Sequence, residues 1–393
     1  MKKEKEESIY SGQFILLCLS SFLFFASFNM IIPELPNYLT QLGGADYKGL
    51  IIALFTLTAG FSRPFTGKLV DKVGRVPVMV IGALVGAIAS LMYPLISSVA
   101  GFLLIRFFHG FSAGFKPTGT ATYLADVVPE NRRGEAMGML GLAGSLGMAS
   151  GPALGSQIAL AFPIEYLFYA SSLLSVLSVA ILYRLKETLT DTQRFALPML
   201  KIQRHEIIEV RVMPPSIVMI FSVFAFGTVL TIIPDFSEHL GIRNKGLFFT
   251  TFTLASLAIR FLAGKASDRY GRVAVLKVGA ALLSLAMFVV GMAKTPSELL
   301  VAGVLFGVAH GMNAPTLFAW TIDLSQESLR GKALATIYIA LEVGIGLGAI
   351  VSGWVYGNQA TNFSYTFWLA GALAFLAFLY LLFFQRRNTL SPQ

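Results

Sequence analysis

The sequence predicts an all-α membrane protein of twelve transmembrane helices, arranged as two six-helix pseudo-repeats. Three observations predict this fold. Of the 393 residues, 55% are hydrophobic and 13% are charged, whereas a soluble domain has about 25% charged residues. Apolar runs of about 20 residues, the length that a span requires, recur from Ser11 to Phe384. A charged loop pattern in the first half of the chain also recurs in the second.

The first apolar run begins near Phe14 and continues past Asn29 without the small-residue cleavage site of a signal peptide, so we expect a retained first helix. The single cysteine, Cys18, lies inside this run, which excludes an intramolecular disulfide and a cysteine-rich metal site. We expect no cofactor. Hydropathy and turn signals place the helices at residues 12–41, 47–70, 76–96, 99–125, 133–160, 163–185, 214–240, 246–267, 273–293, 297–322, 331–356 and 362–385.

Lysines and arginines are divided unequally between the two sides of this predicted bundle. Four of the 30 lie in connections that follow odd-numbered helices, whereas twenty-two lie at the termini and after even-numbered helices. The positive-inside rule then places both termini in the cytoplasm. The net charge of +9 is thus explained by topology, and we expect no nucleic-acid partner. The sequence predicts a multi-pass protein of the inner (plasma) membrane, surrounded by the lipid bilayer.

The two halves are separated by the longest polar stretch, which ends before Pro214-Pro215. We expect an N-terminal six-helix bundle over residues 1–185, a cytoplasmic linker over 186–213 and a C-terminal six-helix bundle over 214–393. Adding 197 to a residue number in the first half gives the matching position in the second at several charged and glycine positions. An internal repeat of this size indicates two bundles of the same topology.

A loop between helices two and three has the pattern Gly67-x3-Asp71-x2-Gly74-Arg75, and helix four ends near Asp126. The shift of 197 repeats the set as Gly264, Asp268, Gly271, Arg272 and Asp323. This duplicated loop resembles the signature of the major facilitator superfamily of secondary transporters. The resemblance implies that Asp71 docks on the start of helix eleven while Arg75 pairs with Asp126, and that the second set repeats this against helix five. Such a clamp would bias two conformations without freezing either.

Helix five has the pattern Gly138-x8-Gly147-x3-Gly151-Pro152-x2-Gly155, which resembles the antiporter signature of drug–proton exporters. Small residues at this spacing let helices approach closely, and a proline permits a bend because it lacks a backbone donor. We expect close packing against helix eight. In the family that it resembles, the glycine–proline pair distinguishes antiporters from symporters.

Ionisable side chains inside a span cost about 2.5–3.5 kcal/mol on insertion scales, so each is a functional candidate. Arg63 and Arg260 lie one turn from the cytoplasmic ends of their helices, and we interpret them as snorkelling side chains. Lys116 and Glu342 share a depth of about 15 Å, so we expect them to pair with each other or to contact substrate. The candidate residues of the substrate cavity or inner gate are Lys116, Glu342, Asn29 and Asn313.

The first helix of each half has an acidic residue near its outer end, Glu34 or Asp235, after the same Ile-Ile-Pro sequence. Glu34 and Arg106 both lie about 10 Å from the outer ends of helices one and four, which line one cavity in the family that the chain resembles. We expect Glu34 to carry a coupled proton with Arg106 as its regulator, because burial and an adjacent guanidinium act oppositely on a carboxyl group. Asp235 is a second candidate for a proton or a cationic substrate. Alternatively, Glu34 only ties helix one to helix four.

These resemblances imply a proton-coupled exporter of small amphipathic compounds that works by alternating access. Its expected partners are a small-molecule substrate and protons, and its expected working unit is a monomer. A facilitator or symporter for a sugar or an organic acid fits the same fold, and a membrane sensor without transport is a further alternative. We expect no enzyme activity and no metal, because neither a Cys–His cluster nor a nucleotide-binding glycine loop occurs in the sequence.

Overall fold

The computed structural model describes residues 10–129, 132–200, 208–326 and 329–390. Within these ranges the chain forms twelve long helices and no β-strand, as the sequence predicts. Their bounds are α1 Gly12–Gln41, α2 Lys48–Lys72, α3 Arg75–Met92, α4 Val99–Val127, α5 Arg133–Ala161, α6 Ile164–Leu182, α7 Met213–His239, α8 Gly246–Tyr270, α9 Arg272–Met292, α10 Pro296–Leu324, α11 Arg330–Tyr356 and α12 Phe363–Leu390.

Most of these helices have the length and apolarity of membrane spans. Nine of the described helices qualify on these criteria, and α8 is a tenth when its two parts are counted as one span. The other two, α4 and α5, have 29 residues each, long enough to cross a bilayer. Their hydropathy is lower because α4 contains Arg106 and Lys116 and α5 is rich in glycine and serine. The chain is therefore a multi-pass membrane protein.

The two halves have the same internal packing. In the first half α1 packs on α5 and α6, α2 packs on α4, and α3 packs on α4 and α6. In the second half α7 packs on α11 and α12, α8 packs on α10, and α9 packs on α10 and α12. The expectation of two six-helix pseudo-repeats is thus confirmed, while the bounds 1–185, 186–213 and 214–393 stay a prediction. The halves meet along a first seam, between α2 and α11, and a second seam, between α5 and α8.

Within the described residues, the seams are closed at one end of the bundle only. We call this end the opposite face, which carries the α1–α2 and α7–α8 connections; the other end, with the α2–α3 loop, is the basic face. At the opposite face, a Cβ atom on Gly49 would lie 2.6 Å from the Ala349 carbonyl oxygen, and one on Gly246 only 2.1 Å from that of Pro152. Toward the basic face, a Cβ atom would have no neighbour within 4 Å at Gly67, Gly138 and Gly264. The halves therefore touch at the opposite face and diverge toward the basic face.

A break in α1 sets the direction of the residues at its end. The helix is interrupted by a 3-10 turn at Ile32–Glu34 before it resumes as Leu35–Gln41. Pro33 within the turn has no backbone N–H group, so it cannot continue the helical hydrogen-bond ladder. The turn directs the Glu34 side chain toward α5 and the start of α8, where its hydrogen-bond and ion-pair partners lie.

Candidate functional site

Two ion pairs at the opposite face join the halves reciprocally. The Glu34 Oε2 atom, at the end of the 3-10 turn in α1, lies 3.6 Å from the Nζ atom of Lys245, which directly precedes α8. Asp235, in α7, pairs with Lys48 at the start of α2. The shift of 197 that relates the repeats maps Lys48 onto Lys245. Each half thus contributes one carboxylate and one lysine, so the opposite face cannot open without separating both pairs.

The pair at the second seam is part of a larger cluster. The Ser156 hydroxyl of α5 donates to Glu34 Oε1 at 2.7 Å, and Lys245 Nζ also lies 2.6 Å from a carboxylate oxygen of Glu238. Burial alone would lower the pKa of Lys245. The carboxylates of Glu34, Glu238 and Asp235 outweigh this effect and raise that pKa above its ordinary value. Lys245 therefore carries its positive charge at the second seam.

The pair at the first seam is equally buried but has different neighbours. The Lys48 ammonium lies 5.7 Å from the centroid of the Tyr356 ring, at the end of α11. The side chains of both Lys48 and Asp235 are almost entirely buried. Nearby, the Asn358 amide donates to Asp46 at 3.3 Å, which adds a second polar contact between the halves at this seam.

The expected pairing of Glu34 with Arg106 is not formed. The Arg106 Nε atom donates to the Ile51 carbonyl at 2.9 Å, its Nη1 atom lies 3.5 Å from the Tyr93 hydroxyl, and its guanidinium lies 4.6 Å from the centroid of the Phe55 ring. Arg106 is buried inside the first half, between α2 and the end of α3, whereas the 3-10 turn directs Glu34 toward the other half. A similar depth along two helices did not imply a contact.

The expected pairing of Lys116 with Glu342 is also absent. Lys116 is fully buried, donates to the Ser21 hydroxyl of α1 at 3.2 Å and lies 5.2 Å from the centroid of the Phe24 ring. Glu342 instead accepts from Arg63 at 2.8 Å. The reason is the packing: α4 presents Lys116 to the interior of its own half, and α11 lies against α2 along the first seam.

The interpretation of the two arginines as snorkelling side chains is wrong. Arg63 pairs with Glu342 and lies 4.3 Å from the centroid of the Tyr338 ring, all across the first seam. Arg260 donates to the Ser145 hydroxyl at 3.3 Å across the second seam. The shift of 197 maps Arg63 onto Arg260 and Ser145 onto Glu342, so the two contacts are symmetry-related, with a carboxylate in one and a hydroxyl in the other.

The two asparagines proposed for the cavity lie within their own halves. The Asn29 amide donates to the Phe25 carbonyl at 2.7 Å, one turn earlier in α1. Both polar atoms of the Asn313 side chain, in α10, are buried and have no hydrogen-bond partner within the described ranges. A Cβ atom on Gly279 of α9 would lie only 2.0 Å from Asn313 Oδ1, so the amide packs directly on the α9 backbone. Their role in substrate binding stays a prediction.

At the basic face, each duplicated loop forms an ion pair with the end of its neighbouring helix. Arg75 Nε lies 2.9 Å from Asp126 Oδ2, and Arg272 Nε lies 2.8 Å from Asp323 Oδ2. In each pair the arginine is the first residue of one helix (α3 or α9), and the acid lies near the end of the next helix (α4 or α10). These are the contacts that the resemblance implies, and they lie entirely within one half or the other.

The loop aspartates do not dock on the opposite half. The Asp71 side chain is 72% exposed, and its ion-pair partner is Arg75 at 3.9 Å in its own half. Asp268 is similarly exposed and pairs with Arg272. The implied docking sites, at the starts of α11 and α5, belong to the other half, and the halves diverge at the basic face. This arrangement is the one expected of a clamp that engages only when the basic face closes.

One residue of the basic face was missed by sequence reasoning. The Glu187 carboxylate, just after α6, accepts from the backbone N–H groups of Arg75 at 3.1 Å and Val76 at 2.9 Å. It therefore caps the N-terminus of α3, where a negative charge is favourable. The adjacent Thr188 hydroxyl donates to Asp126 at 2.6 Å. No motif marks a capping residue that comes from more than a hundred positions along the chain, so nothing in the sequence pointed to it.

The antiporter-like motif of α5 packs on two helices rather than on α8 alone. A Cβ atom on Gly147, Gly151 or Gly155 would come within 2.7 Å of a carbonyl oxygen of α1. The Pro152 carbonyl faces the other way and contacts Gly246 of α8. The expected packing against α8 is therefore made at Pro152, whereas the glycines allow α1 and α5 to approach closely inside the first half.

Two pseudo-symmetric helix bundles that touch at one face and diverge at the other define a membrane transporter. The chain belongs to the Major Facilitator Superfamily, whose sequence profile matches residues 17–243 and 215–393. The resemblance drawn from the duplicated loops is thus confirmed, and so is the expectation that the protein is not an enzyme.

Individual relatives agree with this assignment. The chain is 27% identical over 368 residues to multidrug resistance protein MdtG of Citrobacter koseri, which covers 87% of this chain and 88% of the relative. It is 28% identical over 271 residues to multidrug resistance protein 2 of Bacillus subtilis, covering 66% of this chain and 67% of the relative. Among solved structures, a D-xylose–proton symporter superposes with a TM-score of 0.79 over 94% of this chain and 96% of the other at 18% identity, which shows a shared fold.

Proposed function

We propose that this chain is a proton-coupled exporter of small amphipathic compounds that works by alternating access. The crossed ion pairs at the opposite face carry the proposal. Glu34 with Lys245 and Asp235 with Lys48 stabilise the closed face by attraction between buried charges. A proton on either carboxylate removes the attraction, and a buried carboxylate without its lysine partner takes up a proton more readily. Opening of the opposite face and proton binding therefore favour each other.

This linkage gives the two states of the transporter different proton affinities. With the opposite face closed, as in the structure, both carboxylates are held in ion pairs with lysines. With that face open they lose their partners and bind protons from the side to which they are exposed. Substrate that enters from the basic face would leave at the opposite face, and re-formation of the ion pairs on closure would then release the protons toward the basic face. An antiporter requires a coupling device of this kind.

The direction of transport follows from topology and from the relatives. The excess of lysine and arginine at the basic face supports a cytoplasmic location for that face and for both termini, in the inner membrane. The names of the two multidrug resistance relatives support export rather than uptake. The chain is proposed to act as a monomer, because each half supplies the ion-pair partners of the other and no second copy is needed to complete the gate.

The test uses everted membrane vesicles with ethidium, an amphipathic cation, as the transported probe. Acid-inside vesicles that contain the protein should accumulate ethidium, because protons leave as the probe enters. Glu34→Gln should lose this gradient-driven accumulation and retain downhill flux. The control is Glu165→Gln, which removes an exposed carboxylate at the opposite-face end of α6 and should accumulate ethidium normally. Full gradient-driven accumulation by Glu34→Gln would refute the assignment of the proton to Glu34.

A sugar symporter is the second candidate, supported by the shared fold of the D-xylose–proton symporter. The same vesicles separate the two functions. A symporter would carry D-xylose into vesicles that are acid outside and would not concentrate ethidium in vesicles that are acid inside. D-xylose accumulation without ethidium accumulation would replace the export proposal.

A further inference from the structure

A groove of about 600 Å³ lies at the opposite-face end of the second seam. The end of α5, from the first half, lines one side of it, and the α7–α8 connection with the starts of α8 and α10, from the second half, lines the rest. Its apolar residues include Leu160, Leu247 and Leu300, of which Leu160 and Leu247 are exposed. The groove therefore opens on the outer surface of the bundle and belongs to both halves.

Exposed tyrosines indicate the depth of this groove in the bilayer. Tyr166 and Tyr169 are exposed in the first two turns of α6, which follows directly after the groove-lining end of α5. Exposed tyrosine rings mark the boundary between the hydrocarbon core and the water in membrane proteins. The groove therefore lies where lipid headgroups meet their acyl chains.

One charged residue, Arg243, lines the groove. Among the described residues that line it, only Arg243 is ionisable. Arg243 is exposed and, within the described ranges, forms no ion pair or hydrogen bond through its side chain. Lys48 and Lys245, two other basic residues at this face, are instead held in the crossed pairs. Arg243 thus presents to the groove a guanidinium that no described side chain neutralises.

The first seam has a direct contact at the related place. The shift of 197 maps Asp46 onto Arg243 and Ala161 onto Asn358. In the first seam the Asn358 amide donates to Asp46 and so joins the halves. In the second seam the same two positions hold Arg243 and Ala161, which both line the groove and whose side chains cannot hydrogen-bond to each other. A groove with one cation therefore takes the place of a hydrogen bond between the halves.

We propose that this groove binds an anionic phospholipid of the surrounding bilayer, with the lipid phosphate on Arg243 and part of an acyl chain against Leu160, Leu247 and Leu300. A guanidinium binds phosphate through two parallel N–H bonds. A free phosphate ion would use the guanidinium but leave the apolar walls uncovered, so a lipid fits the groove better. This inference requires only that the protein lies in a membrane, and it holds for either direction of transport.

A lipid in this groove would stabilise the closed opposite face. It would contact α5 of the first half together with α8 and α10 of the second, as the Asn358–Asp46 contact joins the halves at the first seam. Arg243 also lines a cavity of about 330 Å³ together with Glu34, Glu238 and Lys245. A phosphate on Arg243 satisfies its charge, so Arg243 does not compete with Lys245 for these carboxylates.

Binding is measured by native mass spectrometry of the purified protein titrated with phosphatidylglycerol. Arg243→Gln should weaken binding of the first lipid about fivefold, the factor that one basic residue contributes at a membrane surface. Arg243→Lys, which keeps the charge, should retain most of the binding. Ala161→Trp fills the groove without removing a charge and should weaken binding by a similar factor. The matched control, Lys294→Gln, removes an exposed cation of the same face that does not line the groove, and should bind as the parent does.

The effect on the opposite face is measured in lipid nanodiscs. Ile31 is fully buried beside the 3-10 turn of α1, so a cysteine introduced by Ile31→Cys should react with an impermeant maleimide only when that face opens. In a Cys18→Ser background, labelling should be about fivefold slower with phosphatidylglycerol present than in phosphatidylcholine alone, whose headgroup has no net charge. Arg243→Gln should remove this difference, and inorganic phosphate added to phosphatidylcholine nanodiscs should not slow the labelling.

Each outcome decides the proposal. Parental binding of phosphatidylglycerol by Arg243→Gln or by Ala161→Trp would overturn the site, and so would an equal loss in Lys294→Gln, which would indicate general attraction to basic residues. Equal labelling of the parent in the two membranes would overturn the stabilisation of the closed face. Slower labelling with inorganic phosphate would show that the ligand is a free anion. Size-exclusion chromatography controls for folding, and the two Arg243 variants decide if Ala161→Trp fails that control.

Discussion

The two seams between the halves follow one plan and differ in the residue that faces the arginine. In each seam a lysine at the start of one helix pairs with an acid of the other half, and an arginine further along contacts the facing helix. The facing residue is Glu342 in the first seam and Ser145 in the second. The glycine contacts that close the opposite face are also duplicated, at Gly49 and at Gly246.

Opening the opposite face requires both seams to separate, and the contacts that hold it closed are present twice. The carboxylate at position 342 is present once, because the related position 145 is a serine. We infer that the duplicated contacts act on the relative position of the halves, whereas the ion pair of Glu342 with Arg63 distinguishes the first seam from the second.

The opposite-face pairs themselves are not equal. Lys245 contacts Glu34 and Glu238, while Lys48 contacts Asp235 and a tyrosine ring. Lys245 thus has one more ion-pair partner than Lys48, and this additional partner, Glu238, belongs to its own half. Removing each lysine in turn therefore tests whether the two seams contribute equally to the closed opposite face.

Removing the lysines should give the largest effects, with Lys245→Ala exceeding Lys48→Ala. Loss of one partner of a buried ion pair costs about 3–5 kcal/mol, because it leaves an uncompensated buried charge. The closed opposite face should become less stable, and a cysteine introduced by Ile31→Cys, at a fully buried position beside the 3-10 turn, should become reactive. We expect an impermeant maleimide applied from the opposite face to label it at least tenfold faster than in the parent, in a Cys18→Ser background. Parental labelling rates in both alanine variants would contradict the role of the crossed pairs.

The glycine contacts should give the next largest effects. In Gly246→Ala a methyl group would lie 2.1 Å from the Pro152 carbonyl oxygen, and in Gly49→Ala one would lie 2.6 Å from that of Ala349. Overpacking of this kind costs about 1–3 kcal/mol, so both variants should open the opposite face, Gly246→Ala more than Gly49→Ala. The labelling rate of the cysteine introduced by Ile31→Cys measures this opening. Gly264→Ala, with no atom within 4 Å of the added methyl, is the control and should not increase labelling; a parental rate in Gly246→Ala would show that the seam is not tightly packed in solution.

Exchanging the residues that face the two arginines should give smaller effects on stability. Ser145→Glu supplies Arg260 with a carboxylate, and because the gain in attraction is offset by desolvation, the free energy of unfolding should change by no more than about 1 kcal/mol. The reciprocal variant, Glu342→Ser, gives Arg63 the hydroxyl partner that Arg260 has, so it should remain folded. Thermal unfolding measures both variants; a loss of about 3 kcal/mol or more in Glu342→Ser would show that Arg63 requires the carboxylate.

The sequence predicted the fold and the internal charge pairs of each half because both depend on patterns that repeat along the chain. Apolar runs predicted the helices, the family resemblance of the duplicated loops implied the Arg75–Asp126 contact, and the 197-residue shift repeated it as Arg272–Asp323. In each of these pairs the arginine and the acid belong to the same half, where the helix order fixes which elements are neighbours. Repetition is therefore a sound guide to contacts inside one repeat.

Contacts between the halves could not be obtained in the same way. Depth along a helix gives one coordinate, and it placed Glu34 with Arg106, whereas the 3-10 turn directs Glu34 toward Ser156 and Lys245. Which side of a helix faces a partner depends on packing that no local pattern records. The lysine at position 48 was counted as a topological charge, although the same shift maps it onto Lys245 and would have marked both as a related pair.

Substitution of the loop aspartates should give the smallest effect. Because each half has one, the two variants compare the halves directly. Asp71 is exposed in the structure, so Asp71→Asn should not disturb the state in which the basic face is open. In the state with that face closed, the resemblance implies that Asp71 reaches the first turn of α11, where a carboxylate contributes about 0.3–1 kcal/mol. Its loss should therefore shift the population toward the structure seen here by up to about fivefold. Opposite-face labelling of the cysteine introduced by Ile31→Cys should fall by that factor, and Asp268→Asn should lower it equally if the two clamps are equivalent.

A smaller effect of Asp71→Asn than of Asp268→Asn would indicate that Glu187, which caps α3 in the first half, holds the first loop in place without its aspartate. Unchanged labelling together with normal transport rates in both variants would exclude the clamp.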